Sequence, residues 1–496
     1  MAKNFINLGI SFNSLVKRYP KNIALNFGDH QKYTYLDLDR SSEKIINFFI
    51  KLKLKKNNII AIESKKTFIS FSLIVACWKM GITYSFFDTD DNSERVKKII
   101  NTLKPSKVFT FSKRGMKNEC LLNKNLLNLT NKLVTRKSSY VKDKKLIAYI
   151  MFTSGSTGLP KGVLISHYNL SYFINWTKSN FSINHKTILT NLNPLHFDNS
   201  VFDIYASLLN GGCLVPFKKE ELFNLKNLIM KINETNCNIW FSVPSLLNFL
   251  LQVGNKRIFR NLKVNKMIFG GERFPLNSVK EIFSYIKKTK IYNVSGPTEC
   301  TCICSAHRVT KNELLTLKNI PIGKINSYFN YQIILKGKKS NQGELFLEGP
   351  AVSEGYFKND KVTNEKFYNI KKFNGYKTGD IVEKYKKNNL RIIGRIDNQI
   401  KFLGYRIEIK EIENILIKLF NIDECLILIK NQKKFPHEKM VCYVNNNHKN
   451  KINSKNLNKI SLSLPYYMCP KELIYVSNFQ YNKNGKLDRN YYKKLK

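Results

Sequence analysis

A loop rich in glycine and hydroxyl residues directly follows an apolar run, and this junction constrains the fold more than any other part of the sequence. The run 146–151 is typical of a buried strand. It continues as Phe-Thr-Ser-Gly-Ser-Thr-Gly-Leu-Pro-Lys-Gly over 152–162. The glycines let phosphate oxygens approach backbone N–H groups, and Lys161 adds a mobile positive charge. The spacing is not that of a Walker A loop. The segment therefore predicts either another kind of phosphate-binding loop or a solvated turn.

The first three quarters of the 496-residue chain alternate between helix-like and strand-like segments. Helical periodicity covers 37–54 and 68–80, and Gly81 supplies a stop for the second helix. The short apolar run 58–62 is typical of a buried strand, and 320–357 is rich in strand formers and glycine turns. This pattern predicts an α/β domain that ends in a small β unit.

A domain boundary is predicted near Asp397. The strand-like segment 389–394 precedes this residue, and an amphipathic helix is predicted over 407–420. Two further strands, at 425–429 and 440–444, follow the helix. We expect a large N-terminal domain of α/β subdomains plus the β unit over 1–396, and a small, mobile α+β domain over 397–496.

The charge and composition exclude several classes of protein. The formal net charge is +47, but lysine is spread over nearly every segment and is not concentrated with aromatic residues on one stripe, so nucleic-acid binding is not expected. No run approaches the ~18 apolar residues of a membrane span, and no secretory signal is evident. We therefore expect a cytoplasmic protein without membrane insertion, whose charge attracts anionic ligands and an acidic protein partner.

The ten cysteines show no pattern typical of a metal site or a disulfide framework. No Cys-x-x-Cys pair occurs, and Cys300, Cys302 and Cys304 alternate, which in a strand would place all three on one face. That arrangement is poor for tetrahedral zinc. We expect reduced thiols.

A series of further motifs resembles, in order, the signatures of the AMP-forming adenylating superfamily, which includes acyl-CoA synthetases and peptide-synthetase adenylation domains. The motifs are the loop at 153–162, Thr34-Tyr35, Phe197-Asp198, Gly271-Glu272, Gly296-Pro297-Thr298-Glu299, Gly343-Glu344, Gly355-Tyr356, Tyr376 to Asp380, Gly394 to Asp397, and Asn484-Gly485-Lys486. Within this superfamily the chain most resembles the D-alanine–D-alanyl carrier protein ligases. That resemblance rests on Asn169-Leu170 with Trp176, Phe202 to Tyr205, Gln399 to Lys401, Gly404 to Arg406, and Leu464 to Lys471.

The resemblance implies a nucleotide site for ATP and Mg²⁺. Asp380 and Arg395 correspond to the pair that holds the ribose hydroxyls, and Glu299 corresponds to the Mg²⁺ ligand. For Asp380 a turn residue after Gly379 is the alternative, and for Glu299 an ordinary surface glutamate. The other residues implied to contact the nucleotide are Thr153, Ser154, Gly155, Ser156, Thr157, Gly158, Lys161, Gly296, Pro297 and Thr298.

Asp198 indicates the class of substrate. In the amino-acid-activating branch, an aspartate at this place pairs with the α-ammonium group, whereas fatty-acyl ligases need no carboxylate there. An aspartate within an apolar stretch requires a cationic partner or a hydrogen-bonding role. The alternative is a helix N-cap, since 200–209 is predicted to be helical. The resemblance places four more residues in the amino-acid pocket: Phe202, Phe269, Gly270 and Val294.

Lys486 follows Asn484-Gly485, which is a strong hairpin-turn signal. It could be simply a lysine after a tight turn. The resemblance implies a catalytic role, because in the superfamily this lysine meets the reacting carboxylate and the α-phosphate. Thr153 and Glu299 are implied to act beside it. Asp397 is implied to be the hinge about which the small domain rotates between the two half-reactions.

Two residues depart from the expected pattern. Ser295 stands where the superfamily usually has a tyrosine that stacks on adenine, and Tyr292 or Phe274 is available to compensate. Gly270 stands where the D-alanine ligases carry a cysteine, so we expect a wider amino-acid pocket.

The sequence thus predicts an ATP-dependent ligase that forms aminoacyl-AMP and passes the acyl group to the phosphopantetheine thiol of a separate carrier protein. D-alanine and D-alanyl carrier protein are the first expectation. Another small amino acid with a peptidyl carrier protein is the second. An acyl- or aryl-CoA ligase, and a non-enzymatic basic protein on a former ligase scaffold, remain as rivals.

Overall fold

A computed structural model describes residues 7–28, 31–88, 94–122, 143, 145–155, 160–286, 288–370, 373–431, 438–453, 459–481 and 487–495. They form two compact units. The first consists of the described residues within Met1–Thr89, Leu103–Phe152 and Gly162–Ile396, and the second of those within Asp90–Thr102, Thr153–Lys161 and Asp397–Lys496.

Helices are distributed over both units. In chain order they are α1 (Leu8–Arg18), α2 (Tyr35–Lys51), α3 (Phe68–Met80), α4 (Glu94–Leu103), α5 (His167–Phe181), α6 (Asn199–Val201), α7 (Leu225–Glu234), α8 (Pro244–Val253), α9 (Leu276–Tyr285), α10 (Asp360–Lys366), α11 (Ile409–Phe420) and α12 (Arg489–Lys494).

The strands of the first three fifths of the chain are β1 (Ile23–Asn26), β2 (Lys32–Thr34), β3 (Ile59–Glu63), β4 (Thr83–Phe87), β5 (Lys107–Thr110), β6 (Glu119–Leu121), β7 (Ile147–Thr153), β8 (Lys161–Ser166), β9 (Ile188–Asn191), β10 (Cys213–Pro216), β11 (Ile239–Ser242), β12 (Lys266–Phe269) and β13 (Lys290–Ser295). The remaining strands are β14 (Ser305–Val309), β15 (Lys324–Ile325), β16 (Asn330–Leu335), β17 (Lys338–Lys339), β18 (Gln342–Glu348), β19 (Phe367–Ile370), β20 (Phe373–Tyr385), β21 (Asn389–Arg395), β22 (Gln399–Phe402), β23 (Tyr405–Glu408), β24 (Cys425–Asn431), β25 (Glu438–Asn445) and β26 (Glu472–Val476).

The first unit contains three sheets. A nine-stranded sheet has the order β15-β14-β13-β12-β11-β9-β10-β1-β2, and a six-stranded sheet has the order β6-β5-β3-β4-β7-β8. The inner strands of the nine-stranded sheet, β1 and β9 to β13, pair in parallel. The third sheet is antiparallel and contains β16 to β21. The predicted α/β domain with an appended β unit is therefore confirmed.

Local signals explain the helices that pack on these sheets. Thr34 and Asp37 form a reciprocal capping box that starts α2, so this helix begins two residues before the predicted 37–54. The predicted helix 68–80 is α3, and Gly81 ends it in the left-handed conformation with φ of 67°. Because α3 is largely apolar, its residues Ser70–Lys79 are buried in the larger core.

The C-terminal part of the second unit is a small α+β arrangement. Strand β24 pairs with β25, and β25 pairs in parallel with β26. Helix α11 lies close to the predicted 407–420, and its Glu413 side chain accepts hydrogen bonds from the Ile427 backbone and from Arg489. These bonds connect the helix to β24 and to the start of α12.

Two local segments depart from regular secondary structure. The segment 298–304 is not a strand: Thr298–Cys300 is a 3₁₀ turn, and Thr301 and Cys302 have φ of 54° and 73°. Cys302 therefore packs in a different core cluster from Cys300 and Cys304. The predicted helix 200–209 is not a regular α-helix either, because α6 continues as a π-helical segment over Phe202–Ala206. Over the described residues, none of the helices combines the length and apolarity needed to cross a membrane.

Candidate active site

Predicted site residues of the first unit follow the carboxyl ends of parallel strands. Asp198 lies seven residues after the end of β9, Gly270 directly follows β12, and Gly296 directly follows β13. Ligands of open α/β sheets bind at this edge, because the loops that leave it converge there. The sheet thus gathers residues that are far apart in the sequence.

Asp198 and Thr298 meet across a hundred residues of sequence. The Thr298 hydroxyl donates a hydrogen bond to Asp198 Oδ2 over 2.5 Å, and Thr298 is buried. Asp198 precedes α6, but its side chain makes no capping bond to that helix, and its backbone is already helical with φ of −62° and ψ of −27°. The helix-cap alternative is therefore not supported.

Glu299 is a buried carboxylate and not the surface glutamate of the alternative. Its exposed fraction is 1%, and its Oε1 accepts a hydrogen bond of 2.7 Å from the Tyr356 hydroxyl. Tyr356 also lies 3.3 Å from the Tyr376 hydroxyl. The sequence pointed to Glu299 but did not identify Tyr356 as its partner.

Gly296 is required by close packing of backbone against backbone. A Cβ built on Gly296 would lie 2.5 Å from the Cys302 carbonyl oxygen and 2.7 Å from the Cys304 nitrogen. No side chain fits this space without a shift of the main chain. The glycine thereby sets the path of the turn that continues through Pro297 to Thr298 and Glu299.

Three of the four predicted pocket residues share one side of the nine-stranded sheet. Phe202 and Val294 belong to the same core cluster, and a Cβ built on Gly270 would lie 2.7 Å from Val294 Cγ2. The expectation of a wider pocket at Gly270 is thus corrected, because Val294 occupies that space. Phe269 points to the other side, since side chains alternate along a strand, and it packs on Phe274 at 4.6 Å between ring centroids.

The aromatic residues available to replace the missing adenine-stacking tyrosine at Ser295 are engaged in packing. Phe274 is 3% exposed, so its ring faces are covered by the core. Tyr292 makes an edge contact with Phe181 at 5.4 Å. Compensation by Phe274 is not supported by this structure, while Tyr292 keeps a partly buried ring.

Asp380 and Arg395 are brought together by strand register. The two residues are direct partners in the antiparallel pair β20–β21. Their ion pair measures 2.5 Å, and Arg395 also donates to the Thr378 carbonyl. Asp380 follows Gly379 inside a strand, so the turn alternative is wrong.

A buried polar cluster next to Phe202 was not predicted. Asp203 is fully buried, and its Oδ2 accepts bonds of 2.8 and 3.1 Å from the Asn191 and Asn193 side-chain amides. Burial raises the pKa of Asp203 to about 7. Burial lowers the pKa of Lys66 to about 7, and its ammonium donates to the Asn191 and Phe217 carbonyls. A signal was present in the sequence, since Asp203 lies among apolar residues.

In the second unit, the described residues of the glycine-rich loop bind α11 and the strand before it. Ser154 Oγ donates 2.7 Å to the Arg406 carbonyl and accepts a 3.0 Å bond from the Glu408 N–H. The Gly155 N–H donates 3.2 Å to Glu411 Oε2, and Lys161 Nζ lies 3.6 Å from Glu408 Oε1. Thr153 Oγ1 lies 3.5 Å from the Lys161 carbonyl. The described N–H, hydroxyl and ammonium donors of the loop thus already have carbonyl or carboxylate partners within the protein, and their role in binding phosphate stays a prediction.

The remaining predicted residues are Ser156, Thr157, Gly158 and Lys486, and all four lie outside the described residues. Asp397 is the first residue of the C-terminal segment of the second unit, and its carboxylate accepts a bond from the Gln399 N–H. Its role as a hinge stays a prediction.

Comparison with known proteins agrees with this geometry. The family model described as AMP-binding enzyme matches residues 12–357. The chain belongs to this family. Among the relatives of this AMP-binding protein, a D-alanine–D-alanyl carrier protein ligase of Lactococcus lactis is 30% identical over 489 residues, which cover 96% of each chain.

Solved structures share the fold of this AMP-binding protein at lower identity. An artificially fused adenylation–PCP di-domain of Klebsiella oxytoca has a TM-score of 0.85 at 20% identity, covering 96% of this chain and 94% of that one. The adenylation domain AlmE of Vibrio cholerae, solved with glycyl-adenosine-5′-phosphate, has a TM-score of 0.79 at 21% identity and covers 98% of both chains.

Proposed function

We propose that the chain is an ATP-dependent amino-acid ligase that forms aminoacyl-AMP and transfers the aminoacyl group to the phosphopantetheine thiol of a carrier protein. The near-full-length similarity to a D-alanine–D-alanyl carrier protein ligase supports D-alanine and D-alanyl carrier protein as substrate and partner. We propose a cytoplasmic location, because the reaction consumes ATP.

The observation that carries the amino-acid assignment is the placement of Asp198. This carboxylate lies at the ligand-binding edge of a parallel sheet, is held by Thr298 and does not cap α6. The α-ammonium group of an amino acid could form a charge-assisted hydrogen bond with this half-buried carboxylate. A fatty acid or a benzoate offers no cationic group for Asp198 to bind, so this residue favours the amino-acid ligase over the acyl-CoA ligase.

In the first half-reaction, a carboxylate oxygen of the amino acid attacks the α-phosphorus of ATP. The new C–O–P bond forms as the α–β phosphoanhydride bond breaks, and pyrophosphate leaves. We assign Asp380 and Arg395 to the ribose hydroxyls, the loop 153–161 to the phosphates, and Lys486 to the charge that develops at the reacting centre. The thiol then attacks the acyl carbon and AMP leaves.

The described residues are compatible with a Mg²⁺ ion that is bound mainly by phosphate oxygens and water. Among the described residues no group of three or more ligands could hold a metal, whereas the buried Glu299 supplies one carboxylate oriented by Tyr356. Mg²⁺ commonly uses one or two carboxylates together with substrate phosphates. Bound there, the ion would offset phosphate charge.

A pyrophosphate-exchange panel tests this proposal. The protein is incubated with ATP, labelled pyrophosphate and single substrates: glycine, small D- and L-amino acids, fatty acids and benzoates. We expect exchange with one or a few small amino acids, with D-alanine first. Exchange driven by fatty acids or benzoates instead would establish the acyl- or aryl-CoA ligase, and exchange with none, accompanied by salt-sensitive nucleic-acid binding, would establish the non-enzymatic rival.

A further inference from the structure

Two carboxylates of the second unit bind two donors among the described residues of the glycine-rich loop. Glu408 lies 3.6 Å from the Lys161 ammonium, and Glu411 accepts a 3.2 Å bond from the Gly155 N–H. The side chains of Glu408 and Glu411 are 7% and 2% exposed. These contacts are thus made away from bulk water, where ionic hydrogen bonds are stronger.

Neighbouring residues fix both carboxylates in place. Arg95 forms an ion pair with Glu411, and Gln399 donates a side-chain bond to Glu408. Arg406 Nε in turn donates 3.0 Å to Gln399 Oε1. Several partners therefore hold the two carboxylates beside the loop, and neither belongs to an exposed side chain.

Carboxylate and phosphate oxygens compete for the same donors. Both are anionic acceptors that bind ammonium and backbone N–H groups. Lys161 and the Gly155 N–H cannot be fully bonded to Glu408 and Glu411 and to a nucleotide phosphate at once. Resting on the proposed function, we infer that Glu408 and Glu411 form an anionic latch, which occupies Lys161 and the Gly155 N–H and which ATP must displace from these two donors.

The latch lowers the apparent affinity for ATP. A ligand that binds only the unlatched form has its affinity reduced by the fraction of molecules in that form. Removing the two negative charges shifts the population toward the unlatched form, although glutamine can still fill the space. Glu408 and Glu411 thus act on nucleotide binding through the loop and are positioning residues.

Calorimetric titration with α,β-methylene-ATP and Mg²⁺ tests the latch. The Glu408→Gln/Glu411→Gln variant of the full chain is expected to bind this non-cleavable analogue about three- to tenfold more tightly than the unchanged protein. The KM for ATP in pyrophosphate exchange should fall by the same factor. A dissociation constant that is unchanged or larger overturns the inference.

Glu413→Gln is the matched control. Glu413 lies on the same helix and is buried to a similar degree, but its partners are Arg489 and the Ile427 N–H and not the loop. This variant should lose stability and keep its affinity for the analogue. A tightening equal to that of the double variant would show a general loosening of the helix and would refute the latch.

Two further outcomes separate this inference from the proposed function. If the unchanged protein binds the analogue and the double variant does not bind it better, the result contradicts the latch and leaves the ligase proposal intact. If neither protein binds the analogue, the result contradicts both the latch and the ligase proposal. Should thermal unfolding show that the double variant is not folded, Glu408→Gln alone carries the test, with a gain of about two- to threefold.

Discussion

The two units place their charged groups by different means. In the first unit, sheet pairing sets the positions: Asp380 and Arg395 face each other across β20 and β21. In the second unit, a loop and a helix supply the groups, and the donors at Gly155 and Lys161 already have anionic partners. If both sets of groups bind the nucleotide as proposed, the first can keep its geometry, whereas the second has to exchange partners.

This difference suggests a division of work between the units. Groups held by strand register keep their geometry through a reaction cycle, which suits recognition of the ribose and the amino acid. Groups on loops and tails move at lower cost, which suits the changing charges at the phosphates.

Lys486→Ala should have the largest effect. Loss of one well-placed cation is expected to slow adenylate formation by a factor on the order of 10²–10³, because developing charge at the reacting centre is no longer stabilised. Transfer from supplied aminoacyl-adenylate to the carrier should fall much less, and calorimetric binding of the amino acid should not change. Equal losses in both half-reactions would remove the assigned role from Lys486.

Asp198→Asn and Asp380→Asn should each weaken the binding of a different substrate. Each removes one charge-assisted contact, so we expect about 10- to 100-fold increases in KM, for the amino acid with Asp198→Asn and for ATP with Asp380→Asn. Steady-state exchange at varied concentrations of each substrate measures both. The exposed Asp360 offers a control, and Asp360→Asn should leave both KM values unchanged. If either variant changes the KM values for both substrates, Asp198 and Asp380 do not act on separate substrates.

Gly270→Cys should strain the pocket of the first unit. A Cβ at this position would lie 2.7 Å from Val294 Cγ2, so the substitution is expected to cost about 1–3 kcal/mol in the free energy of unfolding. Adding Val294→Ala should restore part of that loss, as measured by urea denaturation of the single and double variants. Equal stability of Gly270→Cys and the unchanged protein would show that the space is open, as the sequence alone suggested.

Asp203→Asn should alter the pH dependence of stability. Burial raises the folded-state pKa of Asp203 from 3.8 to about 7. Protonated Asp203 therefore contributes fully to the free energy of unfolding below the unfolded-state pKa of 3.8. This contribution is lost as the pH rises toward the folded-state pKa of about 7. Between pH 5 and pH 7 the unchanged protein should lose about 1–3 kcal/mol relative to the variant, since both retain Lys66. If the free energies of unfolding of the two proteins differ by the same amount at every pH in this range, Asp203 is ionised throughout it.

The sequence predicted those features that local patterning controls. Periodicity and stop signals located α3 and α11, and the alternation of elements located the parallel sheets. It could not predict which groups would meet across long separations, such as Thr298 with Asp198, because contacts of that kind depend on the topology of the sheet. The π-helical segment beginning at Phe202 also escaped prediction, since its sequence satisfies ordinary helical periodicity.

The surroundings of two predicted pocket residues, Phe269 and Gly270, could not be predicted from the sequence for a related reason. Phe269 directly precedes Gly270, yet strand alternation turns its side chain to the opposite side of the sheet from Val294. The space left by Gly270 could not be judged either, because the residue that fills it lies on the neighbouring strand. The register of β12 and β13 decides which of the residues proposed for the pocket face the same side of the sheet.

Carrier loading tests the central claim most directly. The protein is mixed with ATP, Mg²⁺, D-alanine and a separately prepared D-alanyl carrier protein bearing phosphopantetheine, and the products are followed by intact-mass spectrometry and nucleotide analysis. The account predicts that the carrier gains one alanyl group while AMP and pyrophosphate appear in equal amounts. Formation of ADP in place of AMP, or AMP without acylation of any carrier or amino acid, would contradict it.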